Sequence, residues 1–277
     1  MSLLPQPVGT SDALVLRTWP TGETSVIASL LTATHGFVSV LARAARRLSS
    51  PLRSLVQPGR LVEVEFSLMP RRDLQYLRGG RVLLDPLAAL ATLERSAFLQ
   101  AGLEIVDRCR PAAEHQGRLY TLCADLVRML SCATPGSEAS LFYAFELALL
   151  ELQGVGPALA SCTGCGVDLA EAVGNSSWFS QVSGGILCGR CAGITTEARA
   201  ISPVALAALR HLALRPVGRL TGTDLTREVS REIGTCLHRF LGYHLPGYRL
   251  PAALELLRPP AQHLDASHRR GDEENEV

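Results

Sequence analysis

Two cysteine pairs constrain the fold of this chain more than any other feature of its sequence. Cys162 and Cys165 form one C-x-x-C pair, and Cys188 and Cys191 form a second, separated from the first by 22 residues. This separation is only slightly longer than is usual for a zinc site with four thiolates. A C-x-x-C turn directs both sulfurs toward one ion, and two such turns complete a tetrahedral shell. The spacing therefore predicts one structural Zn²⁺ bound by these four cysteines.

The segment between the two pairs has the pattern of a β-hairpin. Its apolar residues flank a Gly-Gly turn that returns the chain to the second pair: Trp178, Phe179, Val182, Gly184, Gly185, Ile186 and Leu187. Strand residues on both sides of such a turn are typical of a hairpin. Together with the cysteines, the segment predicts a zinc ribbon.

Two other roles for the cysteine pairs remain open at this point. C-x-x-C also occurs in thiol–disulfide exchange proteins, but no thioredoxin-like βαβ pattern surrounds either pair. A catalytic zinc needs an open coordination position, which four cysteine ligands do not leave. The other cysteines (Cys109, Cys123, Cys132 and Cys236) lie on helical patterns and are predicted to be buried free thiols.

Length and hydropathy predict an ordinary globular protein. A chain of 277 residues is long enough for about two domains, each with its own core. The N-terminal stretch lacks a charged region followed by an apolar one, so no signal peptide is predicted. No apolar run reaches the ~18 residues of a membrane helix. We therefore expect a cytoplasmic protein with no membrane partner.

Charge is distributed unevenly along the chain. Residues 1–81 contain ten arginines and five acidic residues, whereas residues 82–277 contain seventeen arginines and twenty-one acidic residues. All 27 basic residues are arginine, so every phosphate contact would use a planar, fork-shaped donor. A basic first segment on a mildly acidic remainder indicates an anionic partner.

The first segment reads as five short strands. The clearest is Val62, Val64 and Phe66, which alternate with Glu63 and Glu65 and so give one buried and one wet face. Further strands are predicted over residues 13–17, 24–31, 37–41 and 74–82. Because no helix of real length interrupts them, residues 1–82 are predicted to form a small closed barrel of the OB-fold type.

Residues 42–59 form a long loop in this barrel that concentrates positive charge. Arg43, Arg46, Arg47 and Arg53 are separated there by small and hydroxyl residues. The run can be read as a solvated charged loop. Beside a barrel whose fold commonly binds single strands, it predicts contacts with a nucleic-acid backbone.

Stacking residues are scarce in the same segment. Its larger aromatic residues are Trp19, Phe37, Phe66 and Tyr76, and the pattern predicts that Phe37 and Phe66 are buried. Electrostatics should therefore outweigh base stacking, and sequence preference should be weak.

From residue 85 onward the apolar period becomes helical. Helices are predicted over residues 87–108, starting after Pro86, over 114–132, over 138–153 with Ser137 as cap, and over 202–214 and 223–241. Residues 141–150 are apolar on nearly every side, which predicts a central helix. The fold class is thus α+β and multidomain: an OB-fold barrel (1–82), a helical domain in two parts (83–160 and 196–257), an inserted zinc ribbon (161–195) and a disordered tail (258–277).

No pattern of catalytic residues is present. The chain contains no G-x-x-x-x-G-K-[ST] phosphate loop, no G-x-S-x-G turn and no H-E-x-x-H helix. The histidines are scattered, so the protein is predicted not to be an enzyme.

Several short motifs accompany this order of parts: the Leu14–Arg17 strand, Gly22-Glu23, Thr34-His35-Gly36, the basic stretch 41–47, the 145–147 region and the two cysteine pairs. In these motifs and in the order of its parts, the chain resembles the bacterial RecO family of recombination and DNA-repair proteins. Ala44 stands where the family often has glycine, the lysines are absent, and the last ~35 residues match poorly.

The resemblance implies a recombination mediator. Such proteins bind single- and double-stranded DNA, anneal complementary strands and engage the C-terminal tail of single-stranded-DNA-binding protein. With RecR they help to load the RecA recombinase, and they use no nucleotide cofactor. An accessory nucleic-acid-binding protein of transcription or translation, and a thiol–disulfide enzyme, are the alternatives from other classes.

Overall fold

The computed structural model describes residues 7–69, 71–86, 92–110, 115–169, 177–220 and 223–257. Its strands are β1 Val8–Thr21, β2 Ser25–Thr32, β3 Gly36–Ala42, β4 Leu61–Ser67, β5 Leu74–Leu84, β6 Ser177–Ser180, β7 Gly185–Cys188 and β8 Arg199–Ile201. Its helices are α1 Leu93–Cys109, α2 Gln116–Cys132, α3 Glu138–Leu152, α4 Gly189–Ala192, α5 Pro203–Ala213 and α6 Arg227–His244. Within these ranges, no helix combines the length and hydropathy needed to cross a membrane. The predicted disordered tail, 258–277, lies outside the described residues.

The first five strands close into a barrel in the order β1-β2-β3-β5-β4. β1 pairs with both β2 and β4, and β3 and β5 pair in parallel, which closes the sheet. The interior is filled by the inward residues of the alternating pattern, among them Val40, Val64 and Phe66. This confirms the predicted OB-like barrel. Phe66 is fully buried as predicted, whereas Phe37 is only half-buried and lies on the outer face.

The basic loop is more firmly attached than a solvated run. Ala45, Leu55 and Val56 are buried in the barrel core, so the apolar residues of the loop close one end of the barrel. Its four predicted arginines nevertheless stay exposed. The buried apolar residues therefore fix the loop on the barrel, while its arginines face solvent.

The helical domain is built around α3, as predicted. Phe142, Phe145 and Leu149 have no exposed surface, and α1, α2, α5 and α6 all pack against this helix. Ser137 is its N-cap residue, as predicted, but the Ser137 hydroxyl donates to the carbonyl of Thr134 and makes no capping bond.

Two helix starts differ from the prediction. α1 begins at Leu93, because the Thr92 side chain accepts the Arg95 N–H and caps it there; residues 87–91 of the predicted helix are not among those described. α6 begins at Arg227, capped in the same way by Thr226 rather than opening at Thr223. In both cases a threonine closer to the apolar pattern is the cap.

The barrel and the helical domain share one apolar core. Leu14, Leu16 and Leu31 on the outer face of the barrel belong to the same cluster as α1, α2 and α3. At the edge of this contact the Ser29 hydroxyl donates to Asp107 Oδ1 at 2.8 Å. Gly36 lies directly against Gln116, where any side chain at position 36 would overlap. The helices thus cover only one end of the outer barrel face.

The predicted hairpin between the cysteine pairs is present as β6 and β7, and β8 adds a third strand that the sequence pattern did not predict. Phe179 packs edge-on against Phe240 of α6 with ring centres 5.6 Å apart. The backbone carbonyl of Gln181 lies 2.8 Å from His244 Nε2. The ribbon is therefore packed on the helical domain.

The cysteines outside the two pairs are only partly as predicted. Cys123 and Cys236 are buried, but Cys109 is half-buried and Cys132 is exposed at the end of α2. Cys132 lies in the last turn, where the helix face is no longer covered.

Candidate metal centre and nucleic-acid interface

The structure brings Cys162, Cys165, Cys188 and Cys191 into one cluster. Their four sulfurs lie within 4.8 Å of one another. The first pair sits in a turn in which the Cys162 carbonyl accepts the Gly166 N–H at 2.8 Å. The second pair spans the end of β7 and the start of the short helix α4. The hairpin therefore carries one pair of cysteines onto the other.

The spacing of the sulfurs fits a tetrahedral ion. Cys165 Sγ and Cys188 Sγ are 3.8 Å apart. A tetrahedron with metal–sulfur bonds of about 2.3 Å has sulfur–sulfur edges of about 3.8 Å. A Cβ at Gly164 would lie 3.0 Å from Cys191 Sγ, so the turn has little room for a larger residue. The cluster can hold one metal ion and leaves no ligand position for a substrate.

The backbone stabilises negative charge on one of these sulfurs. Burial raises the pKa of the Cys162 thiol, but N–H groups of Cys188, Cys165 and Gly164 outweigh burial and lower that pKa to about 6. The Cys188 N–H lies 3.3 Å from Cys162 Sγ. Sharing of hydrogen bonds with Cys188 raises the pKa of Cys191 to about 12. Four adjacent thiols cannot all lose their protons without a cation, because the thiolates repel one another. Binding a cation there therefore releases protons.

The predicted DNA-binding arginines lie around one end of the barrel. Arg46 Nη1 donates to the Glu23 carbonyl at 3.0 Å, which places it beside the β1–β2 turn. The Arg43 guanidinium lies over Tyr76, 4.5 Å from the ring centre. Arg47 follows Arg46 in the same turn, while Arg53 precedes the short 3₁₀ helix Ser54–Val56. All four arginines are exposed, and their surroundings place them at different points along the basic loop.

Two other arginines of the barrel pair with carboxylates. Arg60 pairs with Asp85, and Arg81 donates to Glu63 at 2.9 Å. That bond lowers the pKa of Glu63 and raises the pKa of Arg81. Among the described residues, the four loop arginines form no ion pair, and neither do Arg17, Arg71 and Arg72, so the excess positive charge of the barrel lies on the loop and on these three positions. Charge counting along the sequence could not make this distinction.

Sequence reasoning did not locate a groove in the helical domain. Its volume is about 690 Å³, and it lies between α2, α3 and the segment after α5. Its walls include Leu122, Leu147 and Leu152, with Arg118 and Arg215 among the lining residues. In the sequence, only the apolar faces of α2 and α3 indicated this groove. Residues 212–217 are distant from these helices along the chain and complete the groove only in the folded structure.

Fold and site together define a class: an OB-like barrel joined to a helical domain that carries a four-cysteine cluster able to hold a metal ion. Family models agree with this division. "Recombination protein O N terminal" matches residues 8–84, and "Recombination protein O C terminal" matches residues 90–253. The chain belongs to the RecO family of DNA repair proteins.

Curated relatives support this membership along most of the chain. The DNA repair protein RecO of Heliobacterium modesticaldum is 32% identical over 227 residues, covering 79% of this chain and 80% of that protein. The RecO protein of Roseiflexus sp. is 30% identical over 262 residues, covering 93% and 87%. That of Pelotomaculum thermopropionicum is 28% identical over 235 residues, covering 85% and 88%.

Proposed function

We propose that this protein is a recombination mediator that binds single- and double-stranded DNA and anneals complementary strands. With RecR it would help to load RecA onto DNA coated with single-stranded-DNA-binding protein, in the cytoplasm at the nucleoid. The observation that carries the proposal is the set of exposed arginines presented from a loop whose apolar residues close the barrel. A fixed, basic loop on an OB-like barrel is suited to contacts with a phosphate backbone.

The four-cysteine cluster supports the fold in this proposal. We propose Zn²⁺ as its ion because four thiolates at tetrahedral spacing are the donor set of structural zinc sites. With all four positions taken by protein, the ion performs no chemistry on DNA. It would hold the turn at Cys162 against α4 and so fix the hairpin that packs on α6.

The groove in the helical domain is a candidate site for the tail of single-stranded-DNA-binding protein. Of the arginines on the preceding helices, Arg108, Arg110 and Arg128 pair with acidic residues of their own helices. Arg118 lines the groove, together with Arg215. An acidic peptide with an apolar end would place its side chains on the leucines and its carboxylates near these two arginines. Asp125 and Glu151 also line the groove and would repel acidic side chains, so the peptide would place its carboxylates away from these two residues.

A tail-deleted single-stranded-DNA-binding protein separates this docking from DNA binding. We expect the full-length partner to bind, the tail-deleted partner not to bind, and the Arg118→Ala/Arg215→Ala variant to lose the same interaction while keeping its DNA affinity. Equal binding of the full-length and tail-deleted partners would show that the tail is not what docks.

Substitution of Arg46 and Arg47 by alanine tests the function. If these side chains neutralise phosphates, the double variant should bind every DNA sequence more weakly and anneal more slowly. Its log–log salt slope should fall by roughly one to two, since each contact contributes about 0.7 to 0.9. The matched control is Arg81→Ala/Arg128→Ala, which removes the same charge from arginines already paired with Glu63 and Asp125. Wild-type affinity and an unchanged salt slope in the loop variant would place DNA elsewhere on the molecule.

A further inference from the structure

A row of apolar and aromatic residues crosses four strands of the barrel. Trp19 of β1 pairs with Ile27 of β2, Ile27 pairs with Leu41 of β3, and Leu41 pairs with Tyr76 of β5. Directly paired residues lie on the same face of a sheet. The four side chains therefore form one continuous line, with an aromatic ring at each end.

The row faces outward. The neighbours of Ile27 and Leu41 along their strands, including Ala28 and Val40, point into the barrel core. Because successive residues of a strand alternate between faces, Ile27 and Leu41 point away from that core. None of the four residues belongs to the core clusters or their packed surroundings. Trp19 is 37% exposed, and Ile27, Leu41 and Tyr76 are half-buried.

The helical domain leaves this part of the barrel face open. Its contacts on the same outer face end at Leu31 and Phe37, at the other end of β2 and β3. Ser29 and Asp107 mark the border of the covered part. Beyond that border the row packs in neither apolar core of the described residues and stays partly exposed. A continuous, partly exposed apolar line of this kind is a candidate ligand surface.

Positive charge accompanies both rings. The Arg17 guanidinium lies 5.8 Å from the centre of the Trp19 ring, and the Arg43 guanidinium lies 4.5 Å from that of Tyr76. The basic loop begins immediately beyond the row, where the Ala44 N–H lies 3.4 Å from Ser25 Oγ. Each guanidinium lies over its ring, so it must swing aside toward a phosphate before a base can stack on that face.

We propose that the row Trp19–Ile27–Leu41–Tyr76 stacks the bases of a single strand while Arg17 and Arg43 contact its phosphates. The inference rests on the proposed DNA-binding function and deepens it. Three strand spacings separate the rings, about 14 Å, so they contact different bases. Bases of a duplex are stacked on each other and do not present their faces, so the row distinguishes single from double strands. The flanking arginines favour a polyanion over an apolar protein surface as the occupant.

The two tryptophans of the chain make a direct test possible. In a Trp178→Phe background, Trp19 is the single tryptophan reporter. We expect a single-stranded oligothymidylate to quench its fluorescence, and an abasic strand of equal length, with the same phosphates, not to do so. The abasic strand should also bind at least roughly five-fold more weakly, since stacking on an aromatic ring contributes about 1–3 kcal/mol per base. Equal affinity for both strands, without quenching, overturns the stacking proposal and leaves phosphate binding intact.

Substitutions separate stacking from charge. Trp19→Ala and Tyr76→Ala should each weaken single-strand binding roughly ten-fold, while duplex affinity and the salt slope stay unchanged; Trp19→Phe should retain most of the binding. Retention by Trp19→Phe also shows that the barrel tolerates change at this position. An equal loss for single strands and duplex, or a loss of protein-partner binding alone, contradicts the proposal. If the wild type binds neither DNA form, the proposed function itself is wrong.

Discussion

Ala44 shows how one residue of the basic loop is held in an unfavourable conformation. Its φ is +56°, in the left-handed region that favours glycine. The position coincides with the one at which the resemblance to the RecO family leads us to expect glycine. The conformation turns the chain so that Ala45 enters the barrel core and Arg46 reaches the β1–β2 turn. The unfavourable backbone conformation of Ala44 therefore contributes to the placement of Arg46.

Ala44→Gly should stabilise the protein by about 0.5 kcal/mol. Relief of the left-handed conformation is worth roughly 1 kcal/mol or more, and the greater freedom of glycine in the unfolded chain offsets part of it. Denaturant unfolding measures the change. Ala45→Gly is the control, since it removes a buried methyl group at a position without positive φ and should destabilise. A destabilised Ala44→Gly variant would show that the turn is not strained in solution.

Glu146 is a carboxyl group in the middle of the helical core. It has no exposed surface, and His238 Nε2 lies 3.3 Å from its Oε1. Burial raises the pKa of Glu146, and the opposing effect of His238 does not cancel that rise. The folded protein therefore binds a proton here that the unfolded chain releases above about 4.5.

Glu146→Gln should change the pH dependence of stability. A group whose pKa is higher in the folded state stabilises most below its unfolded pKa, and this contribution is lost as pH rises toward the folded value. The unfolding free energy of the wild type minus that of the variant should therefore fall as pH rises above about 4.5. Denaturant unfolding at several pH values measures the slope. A difference that instead grows with pH would mean that Glu146 is ionised and stabilised by His238.

At the scale of elements, the ribbon depends on contacts at both of its ends. At one end the sulfurs of the cysteine pairs converge, and at the other Phe179 packs on Phe240 of α6. β6 and β7 are only four residues long, and so short a hairpin has little stability of its own. Metal binding should therefore supply much of the ordering free energy of the ribbon.

Cys165→Ser should remove the metal and destabilise the protein. We expect about one zinc per chain in the wild type, much less in the variant, and a drop in Tm of roughly 5 °C or more, since 1 kcal/mol corresponds to about 2–4 °C at this size. Elemental analysis and thermal unfolding measure both. Cys132→Ser, at an exposed thiol outside the cluster, should change neither. Wild-type protein purified without chelator but lacking metal would contradict the prediction.

At the scale of the molecule, the barrel and the helices are joined by one apolar core. Leu14 and Leu31 of the barrel pack in the same cluster as Phe142 and Phe145 of α3. The β1–β2 pair thus has its inward residues in the barrel core and some outward residues in the core of the helical domain. Separation of the two parts would expose both surfaces to water.

The barrel and the helical domain should therefore unfold together. In the Trp178→Phe background, the fluorescence of Trp19 reports on the barrel, and far-ultraviolet circular dichroism reports mainly on the helices. We expect the two denaturant transitions to coincide, as a cooperative unit requires. A Trp19 transition at clearly lower denaturant would show that the barrel unfolds alone.

Sequence alone determined those features that depend on neighbouring residues. The alternation of Val62, Val64 and Phe66 predicted β4, and the three-to-four spacing predicted the helices, because these periods are properties of single elements. The cysteine spacing predicted the ribbon, because a C-x-x-C turn is itself local. The family resemblance followed from the same short motifs.

Tertiary structure decided the features that depend on pairing between distant elements. The row from Trp19 to Tyr76 exists because strand registers align residues far apart in the chain, and no local pattern contains those registers. The groove beside Arg118 likewise needs three separate segments. Closure of the barrel by Ala45, Leu55 and Val56 was invisible in a loop that looked polar. Such contacts are selected by the packing of the whole core, which a local sequence pattern does not encode.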